Sequence, residues 1–232
     1  MGKRIIQQRR GRGGSTYRAS PKNRELRPGY LVNLEGEYEC VKLIASSGHS
    51  VPLAKFMNKN GDVFSNFAAD LLYVGQKITI GGNKNGDISK LGDIKNGTEI
   101  FNIEHNQKDG GRFVRTGGNF AVIMAREGDE VKIMMPSKKV KKFDINARAT
   151  IGRAAGEGRM DKPILKAGNQ FYIMKSKSKL WPRVSAVKMN AIDHPFGSGR
   201  GKRIKSKIAK RNAAPGKKVG LIRPRRTGRK KR

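Results

Sequence analysis

From Tyr30 to about Gly82 the apolar residues arrive in short bursts, not at helical spacing. LVNLEGEYECVKLIASS, VPLAKFMNKNGDVFSNFAA and QKITIGG are rich in Val, Ile, Leu and Phe, and Gly36, Gly48, Asn60-Gly61 and Gly81-Gly82 punctuate them. Short β-branched and aromatic runs bounded by turn residues read as β-strands. Asn60-Gly61 between apolar runs predicts a hairpin, because both residues tolerate the positive φ of tight turns. FAADLLY, residues 67–73, reads as one short helix. Many short strands with one small helix suit a small closed barrel of the OB type over residues 30–82.

Gly81 to Gly97 holds five glycines and reads as a turn-rich joint, with a linker at 83–97. The next block, TEIFNIEH, GRFVRTGG, FAVIMARE, DEVKIMMPS, KKVKKFDIN and ARATIGR, alternates again, with turns at Glu127-Gly128-Asp129 and Pro136-Ser137. Five or so strands in this stretch predict a second, SH3-like barrel within 98–174. Ile100, Ile103, Phe113, Val122, Met124, Val131, Ile133 and Val140 are its expected inward set. Met134 and Met135 read as gap-filling core. The fold class is therefore mainly β, with no internal repeat.

The two ends follow neither period. Residues 1–29 are broken by Gly11, Gly13, Gly14, Pro21 and Pro28, and periodicity disappears again beyond about Lys175. Charge explains why. Residues 175–232 carry 21 Lys/Arg against a single acidic residue, Asp193, or +20 of the chain's +33. The first 30 residues carry nine basic residues against Glu25, while the 144 residues between hold 21 basic and 16 acidic. Two basic arms, 1–29 and 175–232, thus flank a nearly balanced centre. Arms that repel themselves so strongly need a polyanion to order them.

Several function classes drop out. Cys40 is the only cysteine, so neither an intrachain disulfide nor a zinc site of cysteine pairs can form, and a reducing compartment such as the cytoplasm is expected. No apolar run approaches the roughly 18 residues of a membrane span. Met1 to Arg12 lacks the apolar stretch of a secretory signal. The arms offer Gly, Pro, Ser and Asn where a membrane-surface helix would want Leu, Phe or Trp on one face, so nucleic acid is the expected partner and no membrane is.

Residues 187–201 read VKMNAIDHPFGSGRG, a Met-Asn pair, an Asp-His-Pro triplet and spaced glycines. This string resembles the signature of the universal large-subunit ribosomal protein family L-two, whose eukaryotic counterpart is numbered eight. NIEHNQKDGGRFVRTGG at 102–118 is similar to the family's segment opening the second barrel, RATIGR at 148–153 to that barrel's end, and KAG at 166–168 to the step into the C-terminal arm. MGKRIIQQRRGRGGSTYR looks like the archaeal and eukaryotic form. Two departures stand out. Phe196 occupies the place of a second histidine, and Ser198 interrupts the following glycines.

The resemblance implies a structural protein of the large ribosomal subunit, cytoplasmic and not an enzyme. It would be present once per ribosome and not as a homo-oligomer. An OB-fold and an SH3-like barrel would sit side by side, with both termini threaded into large-subunit rRNA. The protein would bind early in assembly beside neighbouring ribosomal proteins. It would lie near the peptidyl-transferase centre and the subunit interface, in proximity to the small subunit and tRNA. Its expected rRNA-binding residues are Arg4, Arg9, Arg10, Arg12, Tyr17, Arg18, Arg112, Arg115, Arg148, Arg153, Lys188, Asn190, His194, Arg200, Lys202 and Arg203. No cofactor is expected; Mg²⁺ would be held by RNA phosphates. The rival class is a free architectural nucleic-acid-binding protein or RNA chaperone, which explains the charge but not the ordered motifs.

Ser185, Asp193, His194 and Ser198 invite a Ser-His-Asp reading. An Asp adjacent to its His rarely aims its carboxylate at that ring, and no G-x-S-x-G elbow precedes it. His194 and Asn190 are expected to bind RNA or to hold the turn, and His49 and His105 to be structural or exposed.

Overall fold

The computed structural model describes residues 2–18, 20–21, 26–198 and 208–225. The chain divides into two compact units, one of residues 19–177 and one joining 1–18 to 178–232. Among the described residues the α-helices are α1 (Ile6–Gly11) in the second of these and α2 (Ala167–Ser176) in the first.

In the 19–177 unit, β1 (Glu37–Ile44), β2 (Leu53–Met57), β3 (Val63–Phe67) and β4 (Lys77–Thr79) form an antiparallel sheet in the order β3-β2-β1-β4. Tyr38 and Cys40 of β1 point inward between exposed neighbours, until a bulge between Cys40 and Lys42 shifts the register. Asn60-Gly61 does turn the β2–β3 hairpin. Gly61 takes φ +88°, and Asn58 Oδ1 accepts the Asp62 N–H at 2.8 Å. Phe56 stacks on Phe64 at 5.2 Å, and Tyr38 meets Phe64 edge-on at 5.0 Å. Truncating such a buried ring costs about 3–5 kcal/mol.

A six-stranded antiparallel sheet follows. It contains β5 (Ile88–Lys90), β6 (Glu99–Phe101), β7 (Ala121–Glu127), β8 (Glu130–Met134), β9 (Val140–Asp144) and β10 (Arg148–Ile151), in the order β5-β10-β6-β7-β8-β9. Gly128-Asp129 closes β7 onto β8, and the Pro136-Ser137 turn closes β8 onto β9, with Lys138 at φ +63°. The architecture is mainly β, an OB-type sheet followed by an SH3-like one, as the strand pattern predicts.

Four details differ from the sequence reading. Residues 67–73 are not a helix: Ala69 bridges to Ala154, and Asp70 N–H reaches the Arg153 carbonyl at 2.8 Å. These backbone groups are spent on a distant segment, so no helical ladder can use them. The expected linker contains β5, paired with β10, because Ile88, Leu91 and Ile94 are buried in the cores and need a place in a sheet. Residues 111–118 contribute only the Ile103–Phe113 bridge, since positive φ at Gly111, Val114 and Gly118 interrupts an extended run. In β7, Ala121 and Ile123 face inward; Met124 and Val140 are half-exposed or more, and Phe143 fills the core instead. Ile123 pairs with Ile133 across the sheet, which places Val122, Met134 and Val140 together on the outer face.

Each sheet has its own core, and the second sheet lends residues to the first. Ile88, Phe101 and Ala154 pack into the first sheet's core. A buried polar network ties the sheets further. Tyr30 Oη donates to the Asn102 carbonyl at 2.7 Å and lies 2.7 Å from Thr150 Oγ1. Asn102 Nδ2 donates to Asn66 Oδ1 at 2.8 Å, and Asn66 Nδ2 to Thr150 Oγ1 at 3.1 Å. Burial pushes the Tyr30 phenol's pKa well up. Buried polar groups satisfied this way fix one arrangement of the sheets, because any other leaves donors unpaired.

Candidate nucleic-acid interface

In the unit joining 1–18 to 178–232, a closed loop occupies 190–198. The N–H groups of Asp193 and His194 donate to the Asn190 carbonyl at 3.0 and 3.2 Å, Gly197 N–H donates to the His194 carbonyl at 2.8 Å, and Asn190 bridges to Ser198. A Cβ at Gly197 would collide with the Asn190 carbonyl, so this position requires glycine. The N-terminus braces the loop: Lys3 N–H donates to the Ile192 carbonyl at 2.8 Å, and Lys3 Nζ lies 3.5 Å from Asp193.

His194 is buried and stands edge-on to Phe196 at 5.1 Å. Its Nδ1 accepts the Phe196 N–H at 3.0 Å. An accepting Nδ1 places the ring proton on Nε2, and burial holds the imidazole's pKa below its ordinary value. The ring is thus a neutral donor at physiological pH. Phe196 supplies both the N–H and the ring that seat it.

Arg4, Arg9, Arg10, Arg12, Arg18, Lys188 and Asn190 are exposed here, and Tyr17 is half-buried. The Arg4 carbonyl takes the Arg9 Nε–H at 3.1 Å, leaving the terminal nitrogens of Arg9 toward solvent. Arg200, Lys202 and Arg203 lie outside the described residues. α1, residues 180–189 and His194 also enclose a cleft of about 370 Å³. Ile6, Leu180, Val184 and Met189 form its apolar walls, Gln7, Ser185 and His194 supply hydrogen-bonding groups, and Arg10 and Arg183 bring charge. Sequence reasoning marked Arg10 and His194 but not the walls. The recurrence Leu180, Val184, Met189 was the available signal, too short to separate from chance.

The arginines of the 19–177 unit are placed differently. Arg148 binds the fully buried Glu104 at 2.8 Å through Nη2 and at 3.2 Å through Nε, and its Nη1 donates to the Leu31 carbonyl at 2.8 Å. Glu104 also accepts the backbone N–H groups of Gly110 and Arg148. Arg153 grips Glu99 through two nitrogens, at 2.5 and 2.8 Å, and lies over the Phe120 ring. This partner holds the Glu99 carboxyl's pKa below its usual value. Arg115 donates to the carbonyls of Gly111 and Pro28 at 3.0 Å each and lies 4.7 Å over Phe67; burial pulls its pKa down. Arg112 alone of the four keeps a largely exposed side chain, 3.8 Å from Asp109. His49 and His105 pack edge-on to Phe67 and Phe113. Among the described residues no group of three or more His, Cys, Asp or Glu could hold a metal ion, and no helix is long and apolar enough to cross a membrane.

Comparison with known proteins shows the family. The sequence profile of the family described as Ribosomal Proteins L2, C-terminal domain, matches residues 84–215. Large ribosomal subunit protein uL2 of Hyperthermus butylicus is 45% identical, with all of both chains covered. The uL2 proteins of Archaeoglobus fulgidus and Sulfurisphaera tokodaii are 44% and 42% identical, over 98% and 99% of this chain and 99% of each relative. With similarity extending from arm to arm and the profile spanning β5 to the closed loop, the chain belongs to the uL2 family of large ribosomal subunit proteins, in its archaeal form.

Proposed function

We propose that this chain is a structural constituent of the large ribosomal subunit in the cytoplasm, binding large-subunit rRNA and neighbouring ribosomal proteins. One observation carries the reading. The unit joining 1–18 to 178–232 holds 25 Lys/Arg against Asp193 alone, in a chain similar to uL2 proteins along its whole length. Exposed Arg4, Arg9, Arg10, Arg12, Arg18 and Lys188, with Arg200, Lys202 and Arg203, neutralise phosphates, and counterion release supplies most of the affinity. Arg112 adds a contact from the second barrel. Arg115, Arg148 and Arg153 act through the shape they hold, since each guanidinium is held by carbonyls or a carboxylate of the protein.

Recognition is of folded RNA shape, with few base-edge contacts. Assembly places the closed loop toward the peptidyl-transferase centre and the protein near the subunit interface, one copy per ribosome. No bond is made or broken by the chain: a neutral His194 whose Nδ1 is occupied orients the loop. The test is sedimentation of the tagged chain from cells. Co-migration with the large subunit is expected. Its absence from that peak, with the chain spread over free nucleic acid, would establish the chaperone reading instead.

A further inference from the structure

We propose that the cleft between α1 and residues 180–189 receives a single unstacked base of the bound RNA, an inference that rests on the rRNA-binding reading above. The walls are the first reason. Ile6, Leu180, Val184 and Met189 gather apolar surface inside the most basic part of the chain. A base offers two apolar faces with its charge held on the flanking phosphates, and so matches an apolar slot within a basic surround.

Charge is the second reason. Arg10 and Arg183 share the cleft, and no acidic residue lines it. Two guanidiniums placed together repel, and an anion between them relieves the repulsion. A basic or neutral peptide would give no such relief. The third reason is polar chemistry at the same place. Gln7 and Ser185 can donate or accept. His194 is committed to one tautomer by the Phe196 N–H, so it offers Nε2–H to a ring nitrogen or carbonyl on a base edge. Size is consistent as well: about 370 Å³ sits near the lower end of ligand clefts and has room for one base and its ribose.

The experiment uses the full chain and deproteinised archaeal large-subunit rRNA. Base-edge reactivity toward dimethyl sulfate and a carbodiimide is mapped at single-nucleotide resolution, and binding is measured across a salt series. The wild-type chain should protect one unpaired base that Val184→Trp, which fills the cleft from an exposed position, leaves reactive. Affinity should fall about tenfold in that variant, the equivalent of one buried base, with an unchanged salt slope. Ser185→Ala, which keeps the cleft open, should weaken binding by a smaller factor, and Arg183→Ala should shallow the salt slope by about 0.7–0.9. A Val184→Trp chain with the wild-type footprint and affinity overturns the cleft assignment and leaves rRNA binding standing. If the two bind RNA alike but Val184→Trp is lost from subunits assembled with neighbouring proteins, the cleft holds a protein side chain and the proposal falls. Failure of the wild-type chain to bind this RNA at all would overturn the rRNA reading itself.

Discussion

The two units solve opposite electrostatic problems. Residues 19–177 hold 26 basic and 17 acidic residues; 1–18 with 178–232 hold 25 basic and one acidic. In the first unit carboxylates are matched to cations at named places, Glu104 with Arg148, Glu99 with Arg153, Glu130 with Lys142. In the second, the one acidic side chain, Asp193, is used to brace a loop, against 25 basic residues. Burial follows the same division. Two cores of interlocking Ile, Leu and Phe fill the first unit, whereas Ile5 and His194 are the buried apolar and polar side chains described in the second. A chain can therefore keep a self-sufficient part and a partner-dependent part, provided the acids are segregated into the former.

The largest test of that division is removal of residues 200–232, which carry 16 Lys/Arg. If ten of these reach phosphates, the salt slope of RNA binding should fall by about 7–9. Thermal unfolding of the 19–177 unit should stay where it was. An unchanged slope would mean that these charges meet solvent, not RNA.

Glu104→Ala attacks the other side. It leaves the Arg148 guanidinium and three backbone N–H groups, those of Lys108, Gly110 and Arg148, without their buried acceptor and should cost about 3–5 kcal/mol of stability by denaturant unfolding. The salt slope, set by the other unit, should persist under conditions where the variant remains folded. A loss below 1 kcal/mol would show that the buried ion pair is not what holds β6 to β10.

Gly197→Ala should open the 190–198 loop through collision with the Asn190 carbonyl, at a cost of about 1–3 kcal/mol. Faster hydrogen exchange at the Gly197 and Asp193 amides would report it, with barrel amides unaffected. Wild-type exchange rates at both loop amides would remove the case for a strict glycine there.

The smallest effect is one of pH. His194 has its pKa lowered by burial, so its stabilising contribution is complete above the ordinary value of 6.5 and is lost as pH falls through the folded value. The Phe196 amide should exchange faster, after correction for intrinsic rates, as pH drops from 7 toward 5. His194→Asn should abolish that trend, and a trend that survived the substitution would assign it to another group.

Much of the barrel unit was legible because period-2 alternation and turn chemistry are local. Asn60-Gly61 and Gly128-Asp129 turn where their residues demand. The misreadings arose where distant groups decided. Ala68 and Asp70 look helical until Pro52 and Ala155 take the backbone hydrogen bonds of the first and Arg153 that of the second. β7 alternates regularly from Ala121 to Met124, but its phase is set by pairing with β8, where Ile123 lies opposite Ile133, so the count along β7 alone left open which set faces inward. The candidate site divides in the same way. Charge marked the arms, and the Asp-His-Pro string marked the loop. The pairing of Arg148 with a carboxylate 44 positions away was invisible, as were the cleft walls assembled from both ends of the chain.

The Tyr30 network has a consequence for synthesis. Tyr30 waits on Thr150, 120 positions later in the chain, and Ala154 completes the core begun by β1. A nascent chain that has released all four strands of its first sheet still lacks part of that sheet's interior. At roughly 5–20 residues per second, the interval between Thr79 and Ala154 leaving the exit tunnel is on the order of several seconds. During it the basic N-terminus is already outside. Vectorial translation thus offers the polyanion-seeking end to the cell before the barrels can close, and places early demand on whatever escorts it.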